Sequence, residues 1–305
     1  MILSGRKLAT SICKSIKKEV KREIKKTGNT PGLGIVLVGD NPASKIYVNM
    51  KKKACQKVGF QYTQVNLPSN SAESDIIRHI NYLNYSNDMH GIMVQLPLPD
   101  HLNTRTILDK VLVNKDVDCF HTENFGKLSL SVNKEDNEDN KDNKITQTDG
   151  ILPCTPRGIM TILDNYNIDI KGKNVAIIGS SNIVGLPISL LLLKRGATIS
   201  ICHIDTQDFR EFTRNADIVV VATGNPNLIK KKDIKKDAII IDVGINRLES
   251  GEIVGDVDYT EVKKKAFAIT PVPGGVGPMT IAMVLQNTLD LYKDQLYRDD
   301  SFHLI

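Results

Sequence analysis

Short apolar runs alternate with helix-like patterns in two separate parts of the chain. In the first part the pattern predicts three strands and two helices: strands at Gly34–Val38, Gln61–Leu67 and Gly91–Gln95, and helices at Ala43–Val58 and Ser74–Tyr85. The second part is more regular, with strands predicted at Asn174–Ile178, Thr198–Cys202, Ile218–Ala222 and Ala238–Asp242. These four runs are apolar enough to be buried on both faces, which is typical of parallel strands covered by helices. The pattern therefore predicts an α/β protein of two domains.

Two further helices and one polar segment set the expected domain boundaries. Leu8, Ile12, Ile16, Val20 and Ile24 recur every four residues and predict an amphipathic N-terminal helix. The pattern over Met279–Tyr297 predicts a second helix, which we expect to pack back onto the first domain. Lys134–Lys144 contains only Lys, Asp, Glu and Asn, so we expect a disordered insertion there. One domain is therefore expected to comprise residues 1–147 plus 279–305, and the other residues 148–278.

Composition narrows the class of protein. Of the 305 residues, 41% are hydrophobic and 25% are charged, as in an ordinary globular protein. The net charge of +5 is modest, and the lysine-rich stretches 14–26 and 230–236 contain no aromatic residues, so we expect no nucleic-acid binding. No apolar run is long enough to cross a bilayer, so we expect no membrane span. Five scattered cysteines favour a reducing compartment, and Glu19 and Glu23 argue against a transit peptide, so a cytoplasmic protein is expected. The six histidines show no metal-ligand spacing.

A glycine-rich turn follows the first strand of the second part. Gly179-Ser-Ser-Asn-Ile-Val-Gly185 leads into the apolar helix Ile188–Leu193, and backbone N–H groups at such a helix start favour a pyrophosphate. Because the spacing is not Gly-x-Gly-x-x-Gly, an ordinary strand-turn-helix is an alternative. Three other segments at strand ends favour a dinucleotide: Cys202–Asp205, Ala222–Pro226 and Asp242–Asn246.

One helix of the first part presents possible catalytic groups. Ser44, Tyr47 and Lys51 are spaced by three and four residues and so share a helical face. Tyr could stack on a flat heterocycle, and Lys could act as an acid or base if burial or its neighbours lowered its pKa. The alternative is a solvated helix whose run Lys51–Lys53 is surface charge.

Three loops add to this chemistry. Gln95, in Val94–Pro99, could hydrogen-bond a lysine amine and hold its orientation. Lys115-Asp-Val-Asp118 supplies carboxylates suited to the amino-pyrimidine edge of a pterin-like ring. Thr270–Thr280 contains three glycines and three prolines, so its course is fixed and it could lie flat against a ligand.

Taken together, six segments resemble the bifunctional methylenetetrahydrofolate dehydrogenase/methenyltetrahydrofolate cyclohydrolase family. They are Tyr47-Val-Asn-Met-Lys51, Val94-Gln-Leu-Pro-Leu-Pro99, Lys115-Asp-Val-Asp118, Pro153-Cys-Thr-Pro156, Gly179-Ser-Ser-Asn-Ile-Val-Gly185 and Pro273-Gly-Gly-Val-Gly-Pro-Met-Thr280. The resemblance implies a Rossmann-like parallel-sheet dinucleotide domain and an α/β catalytic domain with an interdomain cleft. It also implies oxidation of 5,10-methylenetetrahydrofolate with NADP or NAD, hydrolysis of the product to 10-formyltetrahydrofolate, and a homodimer.

The resemblance also implies roles for individual residues. Lys51 would be the acid/base of the hydrolytic step, with Gln95 tuning it. Tyr47 would stack on the folate, and Asp118 would anchor the pterin edge. The remaining implied substrate-binding residues are Ser44, Val94, Leu96, Pro273, Gly274, Gly275, Val276 and Gly277, and the implied cofactor-binding residues are Gly179, Ser180, Ser181, Ile204 and Ile245.

Three positions depart from the family pattern. Cys119 replaces the usual glycine after Asp118, which could shift that loop if the position needs a positive φ. Ser180 replaces a frequent Arg, and Ile204 replaces Ser or Arg, so the usual contacts to the 2′-phosphate of NADP are missing. Because Asp205 is adjacent and would repel a phosphate, the NADP preference is expected to be weakened, with NADP the family default and NAD a possible cofactor.

Two other functions stay open at this point. A monofunctional NAD-dependent methylenetetrahydrofolate dehydrogenase would lack the hydrolytic step, against which the presence of Lys51 and Gln95 argues. A non-catalytic regulatory protein that binds folate or a nucleotide would be expected to have lost Lys51 or Asp118, and both are present.

Overall fold

The computed structural model describes residues 1–133 and 150–299, which form two compact units. The first unit comprises residues 10–126 and the chain from Ile281 onward, and the second comprises residues 1–9 and 127–280, apart from the part left undescribed. The insertion predicted at Lys134–Lys144 lies outside the described residues.

Helices and strands alternate along most of the described chain. The α-helices are α1 (Gly5–Thr27), α2 (Pro42–Val58), α3 (Glu73–Tyr85), α4 (Thr104–Leu108), α5 (Thr122–Leu130), α6 (Cys154–Asn165), α7 (Gly185–Lys194), α8 (Arg210–Thr213), α9 (Tyr259–Val262) and α10 (Val276–Asp299). The strands are β1 (Gly32–Val38), β2 (Gln61–Leu67), β3 (Gly91–Val94), β4 (Asn174–Ile178), β5 (Thr198–Cys202), β6 (Ile218–Val221), β7 (Ile239–Asp242), β8 (Asn246–Arg247), β9 (Ile253–Val254) and β10 (Ala268–Ile269). Every strand and helix predicted from the pattern is present, with ends that differ by at most three residues.

The first unit is built on a parallel sheet in the order β2-β1-β3. β1 is buried along its whole length, because α3 packs on it and strands flank it on both sides. α2 follows β1 directly. The Asn41 side chain accepts hydrogen bonds from the Ala43 and Ser44 backbone N–H groups, and Pro42 stands in the first turn, so the helix start is well specified. α2 ends at Gly59, whose φ of 94° is left-handed.

The second unit is built on a five-stranded parallel sheet in the order β10-β7-β6-β4-β5. The chain passes from β4 outward to β5 and then returns to the other side of β4 to form β6. Strand order therefore reverses at β4, and ligands of open α/β sheets bind at the carboxyl ends of the strands at such a reversal. The turn Gly179–Gly185 follows β4 and so lies at this place.

One detail of the predicted sheet was wrong. The pattern suggested that β5 is buried on both faces, but most of this strand is only partly buried. The reason is its position: β5 pairs with β4 alone and forms an edge of the sheet.

The N-terminal and C-terminal segments belong to different units. Ile2 pairs with Ile269 beside β10, and the Leu3 backbone N–H donates to the Ile269 carbonyl (2.9 Å). Residues 1–9 consequently group with the second unit, whereas the sequence pattern suggested the first. The C-terminal helix, which we expect to pack onto the first domain, groups with the first unit from Ile281 onward, and Asn287 Nδ2 donates to the Val117 carbonyl (2.7 Å). The predicted domain boundaries at 147/148 and 278/279 stay a prediction.

A membrane span is not found in the described part of the chain: none of its helices has both the length and the hydrophobicity to cross a bilayer.

Candidate active site

The three polar residues of α2 share the face that turns toward the end of β3. Ser44 is buried, and its Oγ donates to the Leu96 carbonyl (3.4 Å). Tyr47 is partly buried, and this burial raises the pKa of its phenol. Lys51 is only 6% exposed. The alternative of a solvated face is therefore wrong for Lys51, although Lys52 and Lys53 beside it are exposed.

Lys51 is held by the residue that the sequence suggested. Its Nζ donates to Gln95 Oε1 (2.8 Å) and contacts Met93 Sδ (2.9 Å). Gln95 is fixed in turn, since its Nε2 donates to the Leu96 carbonyl (2.7 Å) and its backbone N–H to the Val36 carbonyl (2.9 Å). The parallel register of β1 and β3 places Val36 beside Val94, which brings the residue after β3 next to α2. The result is one buried amine in a defined orientation.

The two carboxylates of the loop Lys115–Asp118 have different surroundings. Asp116 accepts hydrogen bonds from the Phe120 and His121 backbone N–H groups (3.2 and 2.9 Å) and from Asn124 Nδ2 (3.0 Å), and burial raises its pKa. The Lys115 amine donates to two backbone carbonyls of the α3 end, at Asn84 and Ser86 (2.7 and 2.8 Å). Both residues thus organise the loop. Asp118 is also buried.

Cys119 keeps the backbone conformation for which glycine is the usual residue. Its φ is 59°, in the left-handed region that disfavours a Cβ, and its side chain is fully buried. The cysteine thus adopts the positive φ itself. Its thiol pKa is raised, chiefly by burial, so it is not a reactive thiolate.

In the second unit, the turn after β4 lies close to the end of the neighbouring strand β6. Gly179 has a φ of 115°, and a Cβ placed there would lie 2.3 Å from the Ala222 carbonyl oxygen. Only glycine fits, so this turn lies directly against the end of β6. The Ser181 Oγ accepts the Val184 backbone N–H (3.2 Å), and α7 starts at Gly185 with no capping side chain from the described residues. A helix start of this kind attracts an anion such as a pyrophosphate.

The two remaining loops of the second unit come close to each other. A Cβ on Gly277 would lie 3.3 Å from Ile245 Cδ1. Gly277 belongs to the proline- and glycine-rich loop, in which Gly274, Gly275 and Val276 are buried and Pro273 is exposed. Ile245, three residues after β7, is exposed. A predicted substrate loop and a predicted cofactor residue are thus neighbours.

The residues that would meet the adenosine end of a dinucleotide are exposed. Ser180 is exposed, and Ile204, just after β5, is 94% exposed. The Asp205 carboxylate lies 3.5 Å from His203 Nδ1, and both side chains are largely exposed. Neither Ser180 nor Ile204 offers a positive charge.

Two buried carboxylates in the second unit were not singled out as functional by sequence reasoning. Asp242 ends β7, and Asp256 follows β9; both are buried, and both accept hydrogen bonds from neighbouring loops. An isolated Asp carries no local signal of such contacts. As for metals, no cluster of three or more His, Cys, Asp or Glu side chains suited to an ion occurs in the described ranges.

The chain matches two family descriptions over most of its length. Residues 3–118 match "Tetrahydrofolate dehydrogenase/cyclohydrolase, catalytic domain", and residues 153–296 match "Tetrahydrofolate dehydrogenase/cyclohydrolase, NAD(P)-binding domain". The chain belongs to the tetrahydrofolate dehydrogenase/cyclohydrolase family. The predicted family and fold class are thereby confirmed, and the NAD(P)-binding domain of this family coincides with the sheet that carries the Gly179 turn.

Relatives within the tetrahydrofolate dehydrogenase/cyclohydrolase family cover the whole described architecture. A curated bifunctional protein FolD of Sulfurihydrogenibium sp. is 49% identical, over 97% of this chain and 99% of its own. The crystal structure of a bifunctional FolD methylenetetrahydrofolate dehydrogenase/cyclohydrolase from Campylobacter jejuni has a TM-score of 0.89 and 46% identity, covering 97% of this chain and 99% of its own. The FolD structure from Trypanosoma brucei, complexed with NADP and an inhibitor, has a TM-score of 0.90 and 35% identity, covering 97% and 98%.

Proposed function

We propose that this protein oxidises 5,10-methylenetetrahydrofolate to 5,10-methenyltetrahydrofolate with a nicotinamide dinucleotide and hydrolyses the product to 10-formyltetrahydrofolate. Family membership supports both reactions, and the observation that carries the hydrolytic one is the buried Lys51 amine held 2.8 Å from Gln95 Oε1. A regulatory protein without catalysis has no need for an amine held in this way. The same contact disfavours an enzyme limited to dehydrogenation.

In the hydrolytic step, water adds to the methenyl carbon, and Lys51 takes the proton that the water loses. The hydroxyl on this carbon then loses its own proton as the bond from the carbon to N5 breaks. N5 keeps the electron pair and is protonated, and the formyl group remains on N10. Overall the cation and water give 10-formyltetrahydrofolate and one proton. Gln95 holds the amine so that a single group serves both proton movements. Tyr47 would stack on the folate, and Asp118 would accept N–H donors from the pterin edge.

For the oxidation, the residues of the second unit fit a nicotinamide dinucleotide. Gly179, Ser180 and Ser181 would hold the pyrophosphate in front of α7, where close backbone approach and the helix start favour an anion. Ile245 would contact the dinucleotide beside Gly277 of the substrate loop. When bound, the nicotinamide ring accepts the hydride that leaves the methylene carbon. The protein's contribution is orientation of the two ligands.

The choice between NADP and NAD depends on the side chains beside the adenosine end of the dinucleotide. NADP is the family default, but Ser180 and the exposed Ile204 offer no charged donor, and Asp205 adds an exposed carboxylate. We therefore propose a weakened preference for NADP, with NAD accepted as well. The test is kcat/KM for each dinucleotide in the wild type and in Ser180→Arg. A charged hydrogen bond contributes roughly 1.5–3 kcal/mol, so the variant's NADP/NAD ratio should rise by about ten- to a hundredfold. A strong NADP preference of the wild type would contradict this proposal.

Assembly and location rest on resemblance and composition alone. We propose a homodimer in the cytoplasm. Analytical ultracentrifugation of the purified chain over a tenfold concentration range tests the first statement, since a single species of about one chain's mass of 33.8 kDa would contradict it.

A further inference from the structure

Asp242 and Asp256, the two buried carboxylates of the second unit, lie at the end of the sheet where the glycine-rich loops gather. Asp242 is the last residue of β7, and Asp256 lies two residues beyond β9. Both side chains are almost completely buried, with residue exposures of 2% and 0%. Burying two acidic groups next to each other is costly, so their hydrogen-bond partners show what the arrangement achieves.

Asp242 fixes the backbone on either side of its own loop. Its Oδ1 accepts the backbone N–H of Gly244 and of Asp256 (both 3.0 Å), and its Oδ2 accepts the backbone N–H of Val257 (3.0 Å). The contact is so close that a Cβ on Gly255 would lie 1.9 Å from Asp242 Oδ2. The first turn after β7 is therefore joined to the segment that carries Asp256.

Asp256 connects this loop to the one after β6. Its Oδ2 accepts the Thr223 backbone N–H (2.7 Å), the Thr223 hydroxyl (3.0 Å) and the Gly224 backbone N–H (3.0 Å). Its Oδ1 accepts Asn246 Nδ2 (2.8 Å). A single carboxylate thus satisfies donors from two loops at the carboxyl edge of the sheet.

Ile245 lies between the two attachment points. The residue before it, Gly244, donates to Asp242, and the residue after it, Asn246, donates to Asp256. The loop that Asp256 holds on its other side starts at Ala222, whose carbonyl the Gly179 turn approaches. Both places proposed to contact the dinucleotide consequently depend on the position of Asp256.

We propose that Asp256 is a positioning residue for the nicotinamide dinucleotide, acting through Ile245 and the Thr223–Gly224 loop, with Asp242 holding Asp256 in place. This inference rests on the proposed function. Because the proposed acid/base Lys51 and its partner Gln95 lie in the first unit, and because hydrolysis needs no dinucleotide, hydrolysis provides an internal control. A positioning role affects the dehydrogenase reaction and leaves hydrolysis unchanged.

The test measures KM for NADP and NAD, kcat of oxidation, and the rate of methenyl hydrolysis without dinucleotide. Asp256→Ala removes the acceptor from four donors, so KM should rise by about tenfold or more while hydrolysis stays within about twofold. Asp256→Asn should be milder, because its carbonyl still accepts from Thr223 and Gly224 and the Asn246 amide can reverse to accept from the new amide. Asn246→Ala, in a partly exposed loop, should raise KM by about threefold or more.

Asp233→Asn is the matched control. Asp233 is also fully buried in the second unit, but it accepts the Lys230 backbone N–H and pairs with Arg210. It should lower the unfolding temperature and leave KM unchanged.

The outcomes separate the two proposals. A wild type that reduces neither NADP nor NAD contradicts the proposed function itself. An active wild type with unchanged KM in Asp256→Ala overturns the positioning role, as does equal loss of oxidation and hydrolysis in Asn246→Ala. If Asp256→Ala does not fold, Asn246→Ala decides: a raised KM with normal hydrolysis supports the role, and an unchanged KM overturns it.

Discussion

Replacing Lys51 with Met separates the chemical role of the amine from its packing. Lys51 is only 6% exposed, and Met has a similar length and volume, so the surroundings should keep their packing. The substitution removes the donor to Gln95 Oε1, which costs about 1–3 kcal/mol if that oxygen stays unpaired, and it also removes the cost of burying a polar amine. The net change in the free energy of unfolding should therefore be small.

The effect of Lys51→Met on hydrolysis should be much larger. A positioned acid/base contributes about 10²- to 10⁴-fold to a rate, which corresponds to about 3–5 kcal/mol of activation free energy. We expect hydrolysis of 5,10-methenyltetrahydrofolate to fall by this factor, whereas oxidation, which needs no proton shuttle, should change by less than about threefold. Stopped-flow absorbance of the methenyl cation measures hydrolysis, and formation of the reduced nicotinamide measures oxidation.

Lys52→Met is the matched control for this prediction. Lys52 is the next residue of α2 and is exposed, so the same substitution should leave both rates unchanged. Hydrolysis at the wild-type rate in Lys51→Met would refute the role of Lys51. An equal loss in Lys52→Met would show that the effect comes from the charge of the helix rather than from the buried amine.

Three further predictions concern stability. Cys119→Gly should be more stable than Cys119→Ala by about 1 kcal/mol in urea unfolding, because only glycine adopts the φ of 59° without strain; the opposite order would contradict this. Burial lowers the pKa of His90 to about 4, so the free energy of unfolding should fall by about 3 kcal/mol as the pH falls from 6.5 through 4. His90→Asn should lose less stability over this range, and an equal loss in the variant would show that His90 is not the cause. Burial raises the pKa of Asp242 to about 7, so wild-type stability should fall as the pH rises from about 4 through 7; Asp242→Asn should lack this part of the pH dependence, as thermal unfolding at each pH would show.

The elements of the fold could be predicted because strand and helix lengths follow from the apolar pattern. β4 and β5 match the predicted ends, as does β2. The burial of β5 could not be predicted in the same way. The apolar pattern alone did not separate this strand from the central ones, and the strand order places it at the edge.

For the candidate site, too, local features could be predicted from the sequence, whereas features that depend on tertiary structure could not. Ser44, Tyr47 and Lys51 share a helical face by spacing, which is local, but spacing could not distinguish a buried Lys51 from a solvated one. The register of β1 and β3 decides this, because it brings Gln95 to the amine. Cys119 shows that residue type alone does not determine backbone conformation. A cysteine in place of glycine suggests a shifted loop, but Cys119 itself adopts the left-handed conformation.

Asp256 could not be identified from the sequence at all. Its four donors come from Thr223, Gly224 and Asn246, which are between ten and 33 residues away, so the residue gains its role only when the sheet assembles the loops.

The most direct test of the bifunctional assignment is a single progress curve. Purified wild-type protein is mixed with 5,10-methylenetetrahydrofolate and either dinucleotide, and the reduced nicotinamide, the methenyl cation and 10-formyltetrahydrofolate are followed together. We predict that 10-formyltetrahydrofolate accumulates in step with the reduced nicotinamide, and that Lys51→Met instead accumulates the methenyl cation. Two results would contradict the account. In one, the methenyl cation accumulates with the wild type and decays no faster than it does without enzyme. In the other, neither dinucleotide is reduced.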